Sequence, residues 1–357
     1  MTHVPRMRIM PLHEWPPADC RAWADAVRWA DVLERPGPLA RLSKDKQEVK
    51  QSAYGRWLGF VADADLMTEV TSGLACITPA SVAAFIDRLK ALFASYTVAG
   101  YVTDLDIVVR ALAGGRGFDF LRVAATNLRR MGRPANDKRP RIRPSAEIYQ
   151  LGLDLMAAAH GQVCPLKAAA TFRDGLIIAL LAARPIRLAN LASVEIDRHL
   201  GRHGEDYWLT FPASETKTHR HLEFPLPKEL SLEMETYLKT YRPILAARSG
   251  FWNRGEHDGL WVSAHGSKLH ADQIYRKIVD RTREHFGRSI NPHLFRDAAA
   301  TSIAIEDPGH VGIITAILGH STTKTAETYY NQASSLEAAR SHQAVVRLLR
   351  TPSVGKA

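Results

Sequence analysis

Between Arg122 and Arg143 the chain carries eight basic residues against one acid, Asp137, a net charge of +7. Pro134, Pro140 and Pro144 deny a helix to the second half of this strip, because proline lacks an N–H and clashes with the preceding turn. The strip therefore reads as an extended linker that divides 357 residues into two parts, each long enough to bury its own core. Like charge this dense repels itself unless counterions are near, so a linker that follows a phosphate backbone fits better than a solvated hinge. Most of the formal excess of the whole chain, +10 from 47 basic and 37 acidic side chains, lies here. That sign favours a polyanionic partner, nucleic acid or an acidic membrane surface.

The remaining composition narrows the class. Apolar residues at 46% and charged residues at 24% exclude wholesale disorder. Cys20, Cys76 and Cys164 stand far apart with no CxxC pair, so no disulfide framework is expected and a reducing cytosol suits them. The longest apolar run, Gly175 to Ala183, is about half of the roughly 20 residues a spanning helix needs. No apolar signal core precedes the N-terminal prolines, and nothing resembles a basic amphipathic anchor. The expectation is a cytoplasmic, nucleoid-associated protein with no membrane partner.

Along the chain, residues 1–42 form a proline-punctuated extension with one helix at about 18–34, and Trp15, Trp23 and Trp29 are expected to be buried. Residues 43–132 read as an all-α domain, with helices at about 43–61, from Thr78-Pro79 onward and at 98–113. Residues 133–145 are the basic linker and 146–357 a second domain. Two helices fill 146–184, and short strands follow at 194–196, 206–211 and 222–225. Helices resume at 228–246, 270–286, 293–306, 309–318 and 335–350. The fold class is mainly α with a small β-sheet, an all-α domain followed by an α+β one.

Near the C-terminus stand His293-Leu294-Phe295-Arg296, then Leu318-Gly319-His320, then Tyr329 nine residues after His320. His293 and Arg296 are i and i+3, neighbours on one helix face. Upstream, an arginine stands at the junction of two helices (RLANL, 187–191) and Lys217 lies between two expected strands. In these residues the sequence resembles the tyrosine recombinases, the phage-integrase family, across about residues 146–340. The resemblance implies a catalytic second domain and, less specifically, that the first helical part is a core-binding domain.

Breaking a phosphodiester without a metal needs a nucleophile, cationic clamps on the non-bridging oxygens and an acid for the leaving oxygen. Tyr329 can supply the phenol that becomes a phosphotyrosine ester. Arg187 and Arg296 have forked donors for the phosphate oxygens, and Lys217 is the candidate acid. By resemblance, His293 accepts the tyrosine proton and His320 hydrogen-bonds the phosphate. Tyr330 is adjacent, but successive helical residues point about 100° apart, and the nine-residue offset selects Tyr329. Arg129, Arg130, Arg133, Lys138, Arg139, Arg141 and Arg143 are the expected backbone-contacting set.

Two residues depart from the family pattern. Asn190 stands where the family usually has a carboxylate that orients the first arginine, and Pro185 where it often has glycine. The pairs His199/His203 and His160/Cys164 have a spacing that could share a metal, but each contains a glycine and no further ligands follow. No metal and no cofactor are therefore expected. The expected partner is double-stranded DNA bearing paired recombination sites, joined through a Holliday junction by a tetramer, with accessory proteins unknown. Two alternatives stand beside this reading: a type IB topoisomerase-like relaxing enzyme, and a non-catalytic DNA-binding regulator on the same fold. The C-terminal helix can dock on its own domain or on a neighbouring protomer.

Overall fold

The computed structural model describes residues 7–64, 72–115, 117–133, 141–251 and 257–306. The chain divides into two compact units, Met1–Asp137 and Lys138–Ala357, each with a hydrophobic core.

The described residues of the first unit form helices α1 (Pro17–Val27), α2 (Lys44–Asp63), α3 (Pro79–Leu92), α4 (Ser95–Leu112) and α5 (Asp119–Met131), with no strand. Thr78 starts α3 with a reciprocal cap: its hydroxyl accepts from the Ser81 N–H at 3.1 Å, and the Ser81 hydroxyl accepts from the Thr78 N–H at 3.0 Å. The first helix stops at Val27, short of the expected Glu34. There the chain doubles back, the Leu39 N–H donating to Ala26 O and the Gly37 N–H to Arg28 O. The returning backbone passes so close that a Cβ on Gly37 would lie 2.2 Å from Asp25 O. This early stop splits the three tryptophans. Trp15 and Trp23 are buried with Tyr54 and Trp57, whereas Trp29 is 71% exposed, contrary to expectation. Met10, Trp15, Trp23 and Leu39 are part of the same core as α2 and α4.

In the second unit, α6 (Ser145–His160) and α7 (Pro165–Ala183) pack along their length. They come close together at Gly152 and Gly175, where a Cβ on Gly152 would sit 2.6 Å from Ala179 N and one on Gly175 2.6 Å from Gly152 O. Gly152→Ala is therefore expected to destabilise this unit by about 1–3 kcal/mol through overpacking. Urea unfolding of the variant against the wild type measures it, and an unchanged midpoint would contradict the contact.

The apolar run of α7 is buried from Gly175 to Ala182, as is the ion pair that precedes it. Arg173 donates to Asp174 at 2.6 Å and to Val262 O at 2.7 Å, while Arg281 reaches the other Asp174 oxygen at 3.2 Å. Both charges of the pair thus keep partners out of water, and α7 is tied to the later segment that carries Arg281.

After α7 come α8 (Leu188–Ser193) and one antiparallel sheet, order β1-β2-β3, with β1 Leu200–His203, β2 Asp206–Phe211 and β3 Leu222–Pro225. The strand expected at 194–196 is replaced by isolated bridges, Glu195 to Gly259 and Ile196 to Leu200. The true first strand is Leu200-Gly-Arg-His, which has no apolar alternation. A tight turn at Gly204-Glu205, with Gly204 at φ +64°, pairs His203 with Asp206 and sets the register. The single helix expected at 228–246 is α9 (Lys228–Thr236), a π turn (Tyr237–Tyr241) and α10 (Arg242–Ala246). Pro243 cannot donate the next helical bond, which accounts for the wider turn before it. Next are α11 (Arg248–Phe251), α12 (Ala271–Phe286) and α13 (Pro292–Glu306). The helices expected at 309–318 and 335–350 lie outside the described residues. Among the described residues, no helix is long and apolar enough to cross a membrane.

Candidate functional site

The start of α13 is dictated by Asn291-Pro292. The Asn291 side-chain oxygen accepts from the N–H groups of His293 and Leu294, each at 3.1 Å, and proline fits the first helical position. Leu294 and Phe295 then face the core, which leaves His293 exposed and brings Arg296 one turn further in, 8% exposed. The Arg296 guanidinium donates to the Pro185 carbonyl. Pro185, a departure from the family pattern, is thus the acceptor that holds Arg296 beside the segment leading to Arg187. Arg187 is itself extended (φ −69°, ψ 143°) at the N-cap of α8 and is half-buried.

Lys217 is exposed in the connection between β2 and β3. The preceding Thr216 is buried, and its hydroxyl donates to Arg220 O at 2.7 Å and accepts from the Arg220 N–H at 3.0 Å, which closes the turn around 217–219. The other departure, Asn190, is buried and donates from its amide nitrogen to Glu215 O at 3.2 Å, tying α8 to the lysine turn. The Glu215 carboxylate accepts from His199 Nε2 at 2.7 Å and also pairs with Arg198. The hydrogen bond from His199, reinforced by the Arg198 charge, holds the Glu215 carboxyl below its usual range.

These segments enclose an open cleft of about 790 Å³ lined by Arg187, Lys217, His293 and Arg296, with Leu188, Thr218, Tyr275, Asn291 and Pro292. No carboxylate is among the described residues that line it. Two guanidiniums, an ammonium and an imidazole in one concave surface make an anion site, with forked donors suited to phosphate oxygens. Tyr275 was not singled out from the sequence. The signal for it is weak, a 42% exposed aromatic on the otherwise charged outer face of α12.

His320 and Tyr329 lie outside the described residues, as do Lys138 and Arg139. Arg129 and Arg130 are exposed on the last turn of α5, and the Arg133 N–H donates to the Ser95 hydroxyl. Arg141 and Arg143 are half-buried at the start of the second unit, the Arg143 guanidinium 5.7 Å from the Phe286 ring centroid. Of the two metal-like pairs, His199 has both ring nitrogens committed, to the Glu195 N–H and to Glu215. His160 Nδ1 is 3.0 Å from Met156 O. Among the described residues, no three His, Cys, Asp or Glu side chains are grouped as metal ligands.

The chain belongs to the phage integrase family, the tyrosine recombinases, whose family model matches residues 153–335. It is similar to tyrosine recombinase XerD of Chlamydia pneumoniae, 25% identical over 165 residues, which are 46% of this chain. It spans 50% of the length of that relative. Among solved structures it resembles the XerH site-specific recombinase bound to difH substrate in a pre-cleavage complex, with a TM-score of 0.56 at 14% identity. That match covers 90% of this chain and 96% of XerH. The XerH post-cleavage complex with palindromic difH gives a TM-score of 0.58 at 14% identity, covering 94% and 99%. At that identity the likeness is one of fold.

Proposed function

We propose that this chain is a site-specific tyrosine recombinase that cleaves and rejoins double-stranded DNA through a 3′-phosphotyrosine intermediate and a Holliday junction. The observation that carries the reading is the single cleft in which Arg187, Lys217, His293 and Arg296 meet, although they come from well-separated parts of the sequence. The two arginines hold the non-bridging oxygens and stabilise the charge that develops as phosphorus becomes pentacoordinate. The Tyr329 oxygen attacks phosphorus, His293 accepts its proton, and His320 hydrogen-bonds the phosphate. Lys217 protonates the departing 5′-oxygen. The phosphotyrosine ester conserves the bond energy, so a 5′-hydroxyl from a second DNA can reverse the step without ATP. Cationic side chains take the place that metal ions fill in other phosphoryl transfers. Four protomers on paired sites complete an integration, excision or resolution reaction in the cytoplasm.

The helical region 43–132 acts in this reading as the core-binding domain and 146–357 as the catalytic domain, with the basic linker along the phosphate backbone. Neutralising Arg139, Arg141 and Arg143 together is expected to weaken DNA binding and lower the slope of log affinity against log salt by about 2–3. An unchanged slope, read by fluorescence anisotropy over a salt series, would make the strip a solvated hinge.

Covalent trapping tests the proposal as a whole. The protein is mixed with a randomised library of nicked duplexes whose cleaved fragment diffuses away, and DNA that remains attached after denaturation is sequenced. Adducts at a recurring sequence are the expected outcome. DNA binding without any adduct would favour the non-catalytic regulator.

A further inference from the structure

We infer that His199 and Glu215 are positioning residues for Lys217: together they fix the turn from which the lysine reaches the leaving oxygen. The inference rests on the function proposed above and extends it to side chains outside the catalytic set.

The hydrogen bonds run in one direction. A backbone N–H can only donate, so the Glu195 N–H at 3.1 Å from His199 Nδ1 makes that nitrogen the acceptor and leaves the proton on Nε2. Nε2 then donates to the Glu215 carboxylate at 2.7 Å. His199 is 1% exposed and its ring lies 5.5 Å from that of Phe211, so its polar atoms are costly to bury and both are satisfied. Glu215 is held at its other end too, where Asn190 donates to its backbone carbonyl at 3.2 Å. Two residues later comes Lys217. The Thr216 hydroxyl closes the far side of the turn on Arg220, so the backbone on both sides of the lysine is tied down while its side chain stays exposed on the cleft.

This anchoring bears on one chemical step. As the Tyr329 oxygen bonds to phosphorus, the bond from phosphorus to the 5′-oxygen breaks and its electron pair goes to that oxygen. The Lys217 ammonium gives it a proton, which yields a 5′-hydroxyl and a neutral amine. A misplaced lysine slows the step because an alkoxide is a poor leaving group. A sulfur in place of the bridging 5′-oxygen leaves as a thiolate and needs no proton, so its departure is indifferent to where the lysine stands.

The test compares single-turnover cleavage of nicked duplexes with oxygen or sulfur at the 5′-bridging position, using the full chain and a site recovered by trapping. The readout is the ratio of the oxygen rate to the sulfur rate, which partial misfolding does not change because it lowers both rates equally. Lys217→Ala sets the floor of this ratio. Glu215→Ala and His199→Phe are each expected to lower the ratio about tenfold, a part of what a general acid supplies, with sulfur cleavage retained. Glu215→Gln, which keeps an oxygen for the imidazole to donate to, is expected to recover most of the ratio. A wild-type ratio in both Glu215→Ala and His199→Phe overturns the inference while leaving the recombinase reading intact. A wild-type ratio in Lys217→Ala overturns the acid assignment itself, a separate outcome.

Discussion

Tyr329→Phe is expected to abolish covalent attachment to DNA while DNA affinity stays at the wild-type level. The substitution removes one oxygen, the atom that would form the bond to phosphorus, and keeps the ring. Without the nucleophile no other step in the sequence can begin, so single-turnover cleavage should fall by about four orders of magnitude or more. The substitution leaves in place the four side chains proposed to hold the phosphate, Arg187, Lys217, His293 and Arg296, which line one cleft. Gel-shift titration and trapping on the same nicked duplex read the two quantities side by side. An adduct that persists in Tyr329→Phe and disappears in Tyr330→Phe would move the nucleophile by one residue and leave the clamp as described.

Arg187→Ala and Arg296→Ala should each slow cleavage by about 10²–10³-fold, the usual cost of removing one donor aimed at developing charge. The two differ in what else they disturb. Arg187 is half-buried at a helix N-cap, so less of its side chain is withdrawn from water than that of Arg296, which is 8% exposed. Arg296 is buried and donates to the Pro185 carbonyl, so removing it also takes away a buried hydrogen bond, worth about 1–3 kcal/mol when one partner is left unmet. Thermal unfolding should therefore report a loss for Arg296→Ala larger than for Arg187→Ala. Lysine should not rescue either position, because a point charge cannot span two phosphate oxygens as a guanidinium does. Cleavage near the wild-type rate in Arg187→Ala would remove it from the clamp.

Much of this molecule was legible in the sequence because the relevant signals are local. The i, i+3 spacing of His293 and Arg296 places them on one face of the helix expected at 293–306, which is α13. Thr78-Pro79 states where α3 begins, and the uninterrupted apolar stretch of α7 states that it is buried on all sides. The charge and prolines of the linker divide the chain. Each of these is a property of a few consecutive residues, and backbone geometry alone converts it into structure.

What the tertiary structure alone decided are the partners of groups far apart in sequence. Leu200-Gly-Arg-His has no strand pattern of its own; the turn at Gly204 and the buried Leu209 and Phe211 of the neighbouring strand make it β1. Asn190 meets Glu215 twenty-five positions away, and Arg296 meets Pro185 across 111. Nothing in a local pattern encodes such pairs, because a side chain's spacing specifies the face it occupies, while its partner depends on which distant segment the core brings there. Trp29 stays outside while Trp15 and Trp23 go in because burial follows the path of the returning chain, which the hydrogen bonds from Gly37 to Arg28 and from Leu39 to Ala26 set.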